Sequence, residues 1–150
     1  MRGIMKKLSI VLVGIFALGL IGCSSSAPSS PKEAVIALFG AMERDDKPAI
    51  AHLLDLEELM KNTSEDYALN SDNPREFITP EEILEDLTGD GKTKTRWFSY
   101  QRIINTEEIV ENSATVEVTF VDKDNSKGYK VKFGLHILNE KWKIYSFNTL

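Results

Sequence analysis

The chain has a single cysteine and two histidines in 150 residues. One thiol closes no intrachain disulfide, so packing alone must hold the fold even in a compartment that permits such bonds. With so few soft ligands there is no zinc set at recognised spacing. A Gly-x-Ser-x-Gly elbow is also missing, which removes the usual serine-nucleophile pattern. No apolar run reaches the roughly 20 residues that a helix needs to cross a bilayer. The longest candidate, residues 8–21, holds fourteen and is interrupted by Ser9, Gly14 and Gly19.

Two further sites are incomplete. Gly91-Lys92-Thr93 has the ending of a phosphate-binding loop, but Asp86 stands where that motif needs its first glycine. Asp122 to Gly128 has the outline of a calcium loop, yet its glycine comes one place late and Phe133 occupies the twelfth position, where a bidentate Glu belongs. It reads as a hairpin loop.

What is present at the N-terminus is an address. Arg2, Lys6 and Lys7 precede the apolar stretch 8–21, and the small Gly22 follows it. Leu20-Ile21-Gly22-Cys23 resembles the lipobox of bacterial lipoproteins. The resemblance implies that residues 1–22 are a signal peptide removed on export and that the Cys23 sulfur carries a diacylglycerol. The protein would then be lipid-anchored and extracytoplasmic, at the bacterial cell membrane or outer membrane. The alternative is an uncleaved span. Residues 23–30 are the lipidated cysteine and its linker: Ser24 to Ser30 reads SSSAPSS, a solvated spacer with a root-mean-square reach of roughly 15 Å.

Basic charge is scarce in what remains. Removing residues 1–22 takes three of 18 Lys and Arg and none of 23 Asp and Glu, leaving a net charge of −8. That balance opposes phosphate backbones and anionic headgroups, so no nucleic-acid partner is expected, and membrane attachment would depend on the lipid. Residues 31–150 suit one domain.

The first part of that domain reads as helical. Ser30-Pro31-Lys32-Glu33 predicts a capping box, followed by Val35, Leu38, Phe39 and Met42 on one face. Asp46 and Pro48 start a second helix with Ile50, Leu53 and Leu54 on a shared face, and another short one follows at Asp55. Residues 61–78 read as a long loop. Thr79-Pro80-Glu81-Glu82 then caps a helix that carries Ile83, Leu84 and Leu87, with Glu81, Glu82, Glu85 and Asp86 on a solvated face.

From Lys94 the period changes to two. Strands are predicted at 96–105, 107–111, 114–122, 128–138 and 141–147, separated by turns at Asn112-Ser113, 123–127 and Asn139-Glu140. Val116, Val118 and Phe120 share a face with Tyr129, Val131, Phe133, Leu135, Ile137, Trp142 and Ile144. Glu117, Thr119, Lys130 and Lys132 point away, and alternation puts Tyr145 and Phe147 on that other side.

This order resembles the nuclear transport factor 2-like superfamily. The residues that carry the likeness are Ser30-Pro31-Lys32-Glu33-Ala34-Val35, Asp46-Lys47-Pro48-Ala49-Ile50, Ala114-Thr115-Val116-Glu117-Val118 and Trp142-Lys143-Ile144. The resemblance implies an α+β fold in which N-terminal helices pack on a curved antiparallel β-meander, a cystatin-like cone with room for a pocket. It supplies no catalytic, metal or cofactor residue to carry over. The expected function is a non-enzymatic binding or accessory domain, held to the membrane through Cys23, with a protein or small-molecule ligand. The alternatives are a pocket enzyme of isomerase or hydratase type, with His52, Tyr100 or His136 as candidates, and an assembly or immunity-type lipoprotein that binds a protein partner. The apolar faces predict a filled interior, with binding at the rim or outer face.

Overall fold

The computed structural model describes residues 26–62 and 79–150. The expected signal peptide, Cys23 and most of the expected loop at 61–78 lie outside the described residues.

Five helices precede the sheet: α1 (Pro31–Glu43), α2 (Lys47–Leu53), α3 (Leu56–Lys61), α4 (Pro80–Asp86) and α5 (Lys92–Phe98). Ser30 caps α1 through its hydroxyl, which accepts from the Glu33 amide at 3.2 Å. The Glu33 carboxylate turns back towards the Ser30 amide and accepts more strongly one residue further out, from the Ser29 hydroxyl and amide at 2.7 and 2.8 Å. Those bonds hold its carboxyl below the ordinary range.

The other predicted caps form as spaced. Asp46 accepts from the Ala49 amide and Asp55 from the Glu58 amide, while Thr79 and Glu82 make a complete capping box. Leu54 departs from its predicted helical face. It is extended, bridges in parallel to Ile144, and lets the Asp55 amide donate to the Ile144 carbonyl at 2.8 Å. The α2–α3 corner thus adds a fragment to the sheet edge.

Residues 92–98 are a helix rather than the start of the first strand. Trp97 and Phe98 have strand-type side chains, but Trp97 shares a helix face with Thr93, four residues earlier, and both must be buried. The Thr93 hydroxyl donates to Asp86 at 2.5 Å. Asp86 is therefore an interior strut rather than part of a solvated acidic face. The turn between α4 and α5 needs Gly91, since a Cβ there would lie 2.2 Å from the Asp86 carbonyl oxygen. Arg102 closes the far end of α5 by donating to the Trp97 carbonyl at 3.1 Å.

The sheet contains β1 (Gln101–Val110), β2 (Ser113–Val121), β3 (Gly128–Leu138) and β4 (Lys141–Thr149), antiparallel in that order. The two predicted runs 96–105 and 107–111 contribute to a single strand, β1, joined across a bulge between Ile104 and Glu107. Its turn falls at Glu111 and Asn112, one residue early, with Glu111 at φ 54°. At the β3–β4 turn Asn139 and Glu140 both take positive φ, 51° and 64°, the mirror-type geometry that suits the twist of a two-residue hairpin.

A second bulge corrects the reading of the last strand. Gly134 pairs with Ser146 and Leu135 with Ile144, so Tyr145 is left unpaired. The extra residue reverses the alternation beyond it. Tyr145 stays outside, but Phe147 turns inward and is only 4% exposed.

The helices cover the inner face, where Val116, Val118, Phe120, Val131, Phe133, Leu135 and Ile144 are fully buried. Ile137 has the inner alternation but is 40% exposed, because it lies at the end of the sheet, past the packed core. Phe39, Trp97, Phe120, Phe133 and Phe147 form one aromatic cluster, with neighbouring centroids 5.2–6.1 Å apart.

Candidate functional site

The aromatic cluster occupies the space between α1 and the sheet. Its only polar side-chain atom, Trp97 Nε1, is buried without a hydrogen-bond partner, a cost on the order of 1–3 kcal/mol in general. The groups that can meet a ligand lie at the margins.

A cleft of about 290 Å³ opens at the β2–β3 end of the sheet, lined by Tyr100, Asp122, Asn125, Lys127, Gly128 and Tyr129. Tyr100 lies just before β1, not on it, and meets Tyr129 edge to face at 5.2 Å. Tyr129 stacks on Phe120 at 5.1 Å, and the Arg96 guanidinium sits 5.0 Å above its ring. The hairpin loop is held by its own side chains: Asp122 accepts from the amides of Asp124 and Asn125, and Asn125 accepts from that of Lys127.

The Tyr129 hydroxyl is buried, with the Arg96 side chain beside it. Burial pushes its phenol up to about 12, with Arg96 opposing in part. It therefore stays protonated at neutral pH and cannot serve as a base. Tyr129→Phe should cost at most about 1.5 kcal/mol at neutral pH, since it removes one buried hydroxyl and its contact with Arg96. Because the folded phenol holds its proton more tightly than the unfolded one, wild type should lose stability as pH rises from 10 towards 12. The variant should lose less, as alkaline unfolding curves would measure.

His136 lies on the outer sheet face. Its Nε2 is 2.8 Å from Asp55 Oδ2, and its ring stacks on Tyr145 at 4.8 Å. Gly134 makes room for this arrangement, because a Cβ there would come within 3.0 Å of the Tyr145 ring. Asp55 Oδ1 is already engaged as the α3 cap, so the pair ties the α2–α3 corner to the sheet across β4. His52 is exposed: its backbone carbonyl accepts from Lys143 and its ring lies 3.4 Å from Lys141. Lys143, then Lys141, lower its affinity for a proton. Lys143 is itself held below the ordinary amine range, mainly by burial.

The three residues singled out from the sequence do not converge. Tyr100 and His136 stand at opposite ends of β2, whose nine residues span roughly 30 Å at about 3.3 Å each. Alternation alone makes Tyr129 a core residue and nothing more. The one available signal was its place at the strand's first turn of alternation, beside a polar hairpin loop.

No family model and no curated protein matches the chain. Among solved structures, a five-fold substituted form of the chain Rd1NTF2_05 superposes with a TM-score of 0.55 at 12% identity, covering 79% of this chain and 95% of its own. An NTF2-like protein of unknown function from Cytophaga hutchinsonii aligns at 16% identity with a TM-score of 0.44, over 81% and 88% of the two chains. One from Shewanella oneidensis aligns at 12% with a TM-score of 0.45, over 78% and 93%. Identities this low speak to the fold alone. The protein has the NTF2-like α+β fold: helices followed by a curved four-stranded antiparallel sheet.

Proposed function

We propose that this is a lipid-anchored protein of the bacterial cell envelope whose NTF2-like domain binds a ligand at the open cleft and performs no chemistry on it. The observation that carries the binding reading is the cleft itself, where the Tyr100 and Tyr129 rings meet edge to face beside Asp122, Asn125 and Lys127. These groups suit a small molecule or protein segment that offers a hydrogen-bond acceptor next to a flat apolar face. The lipobox and basic n-region support the anchor. Cys23→Ser should move the protein from the membrane fraction to the soluble fraction or leave it unprocessed. Retention in the membrane with normal processing would sink the anchoring reading.

For the cleft, NMR titration with aromatic amides should shift the ring signals of Tyr100 and Tyr129 in wild type, and the Tyr129 shifts should weaken in Tyr100→Ala. A second reading, an isomerase- or hydratase-type site, is favoured by the 2.8 Å contact of His136 with Asp55. Ligand shifts at His136 and Tyr145 with none at the cleft would make that reading the better one.

A further inference from the structure

We propose that the sheet end opposite the cleft is a membrane-docking rim, with Ile109, Val110, Ile137 and Leu138 set into the interfacial region of the bilayer. This rests on the lipid-anchored reading above. These side chains are 50%, 62%, 40% and 42% exposed. The strand pairings bring them together: Val110 lies opposite Ser113, which pairs with His136, and the Ile137 amide donates to the Asn112 carbonyl at 2.9 Å. Two hairpin tips therefore sit side by side. Alternation sends Ile109 and Ile137 towards the helix side and Val110 and Leu138 towards the outer side. The aliphatic surface wraps the end of the sheet, which suits end-on insertion better than face-to-face packing with a second copy.

Three other features point to lipid. Trp142, half-buried, pairs with Ile137 at this rim, and indoles favour the boundary between water and hydrocarbon. Lys141 and Lys143 stand against Glu111 and Glu140, so neither sign of headgroup is strongly preferred and apolar contact supplies the attraction. The tether also enters close by. The Lys32 amide and Nζ bond to Glu107 and to the Asn105 carbonyl, at 2.6 and 3.2 Å. That places the start of α1 within three residues of Val110 along β1, roughly 10 Å. Cys23 lies eight residues before Pro31, and a spacer of that length reaches about 15 Å. Confinement at that range makes a weak apolar contact effective through local concentration. Docked this way, the cleft faces away from the bilayer.

The test uses the full lipidated protein in phosphatidylcholine vesicles with and without brominated acyl chains. Trp97 is 1% exposed in the core, so bromine should quench Trp142 and spare Trp97, removing one of the two tryptophan signals. Trp142→Phe should abolish the quenching. Val110→Asp combined with Leu138→Asp should leave the protein vesicle-bound through its lipid but unquenched. Vesicle-bound wild type with both tryptophans unquenched overturns docking, as does a double variant quenched as strongly as wild type. Loss of quenching together with a concentration-dependent dimer overturns it in favour of a second copy. An N-terminal peptide whose mass lacks the diacylglycerol overturns the anchoring reading itself.

Discussion

Phe147→Ala should lower the unfolding free energy by about 3–5 kcal/mol, the range for removing a buried aromatic from a core, whereas Tyr145→Ala should cost far less. Simple alternation from Trp142 and Ile144 puts both residues outside. The bulge at Tyr145 separates them: Phe147 packs on Trp97 at 5.4 Å and on Phe133 at 5.2 Å, and Tyr145 lies over Gly134 on the outer face. Urea denaturation of the two variants measures the difference. Equal losses, or the reverse order, would mean that the strand runs without its bulge.

The second large effect lies on α1. Phe39 meets Trp97, Phe120 and Phe133 edge to face, so Phe39→Ala should also cost about 3–5 kcal/mol and Leu38→Ala about 2–5. Lys32→Ala removes one part-buried hydrogen bond, from Nζ to the Asn105 carbonyl, and should cost only about 0.5–1.5 kcal/mol. The double variant Phe39→Ala with Trp97→Ala should lose less than the two single losses combined, because each ring forms part of the other's cavity wall. Similar losses for Lys32→Ala and Phe39→Ala would rule out this arrangement of the core.

The same contrast runs through the candidate site. Tyr100 was legible as a candidate, but its partner Tyr129 was not, since a tyrosine in a β-period looks like any other core-facing position. Only the three-dimensional neighbours reveal that it meets the Tyr100 ring and borders a cleft. His136 was legible as an ionisable group within a strand. Its carboxylate partner, Asp55, is 81 residues away in the chain and by its local spacing is only a helix cap.

Local chemistry accounts for what could be read directly. The caps at Ser30, Asp46, Asp55 and Thr79, the stripe of α1 and the inner faces of β2 and β3 each depend on residues within one or two turns of one another. The helix at 92–98, the strut at Asp86 and the inward turn of Phe147 followed different causes. Trp97 takes its place because an interior must be filled, Asp86 because Thr93 comes to meet it, and Phe147 because one unpaired residue shifts a register. Burial and register belong to partners distant in the chain, and no local period encodes them.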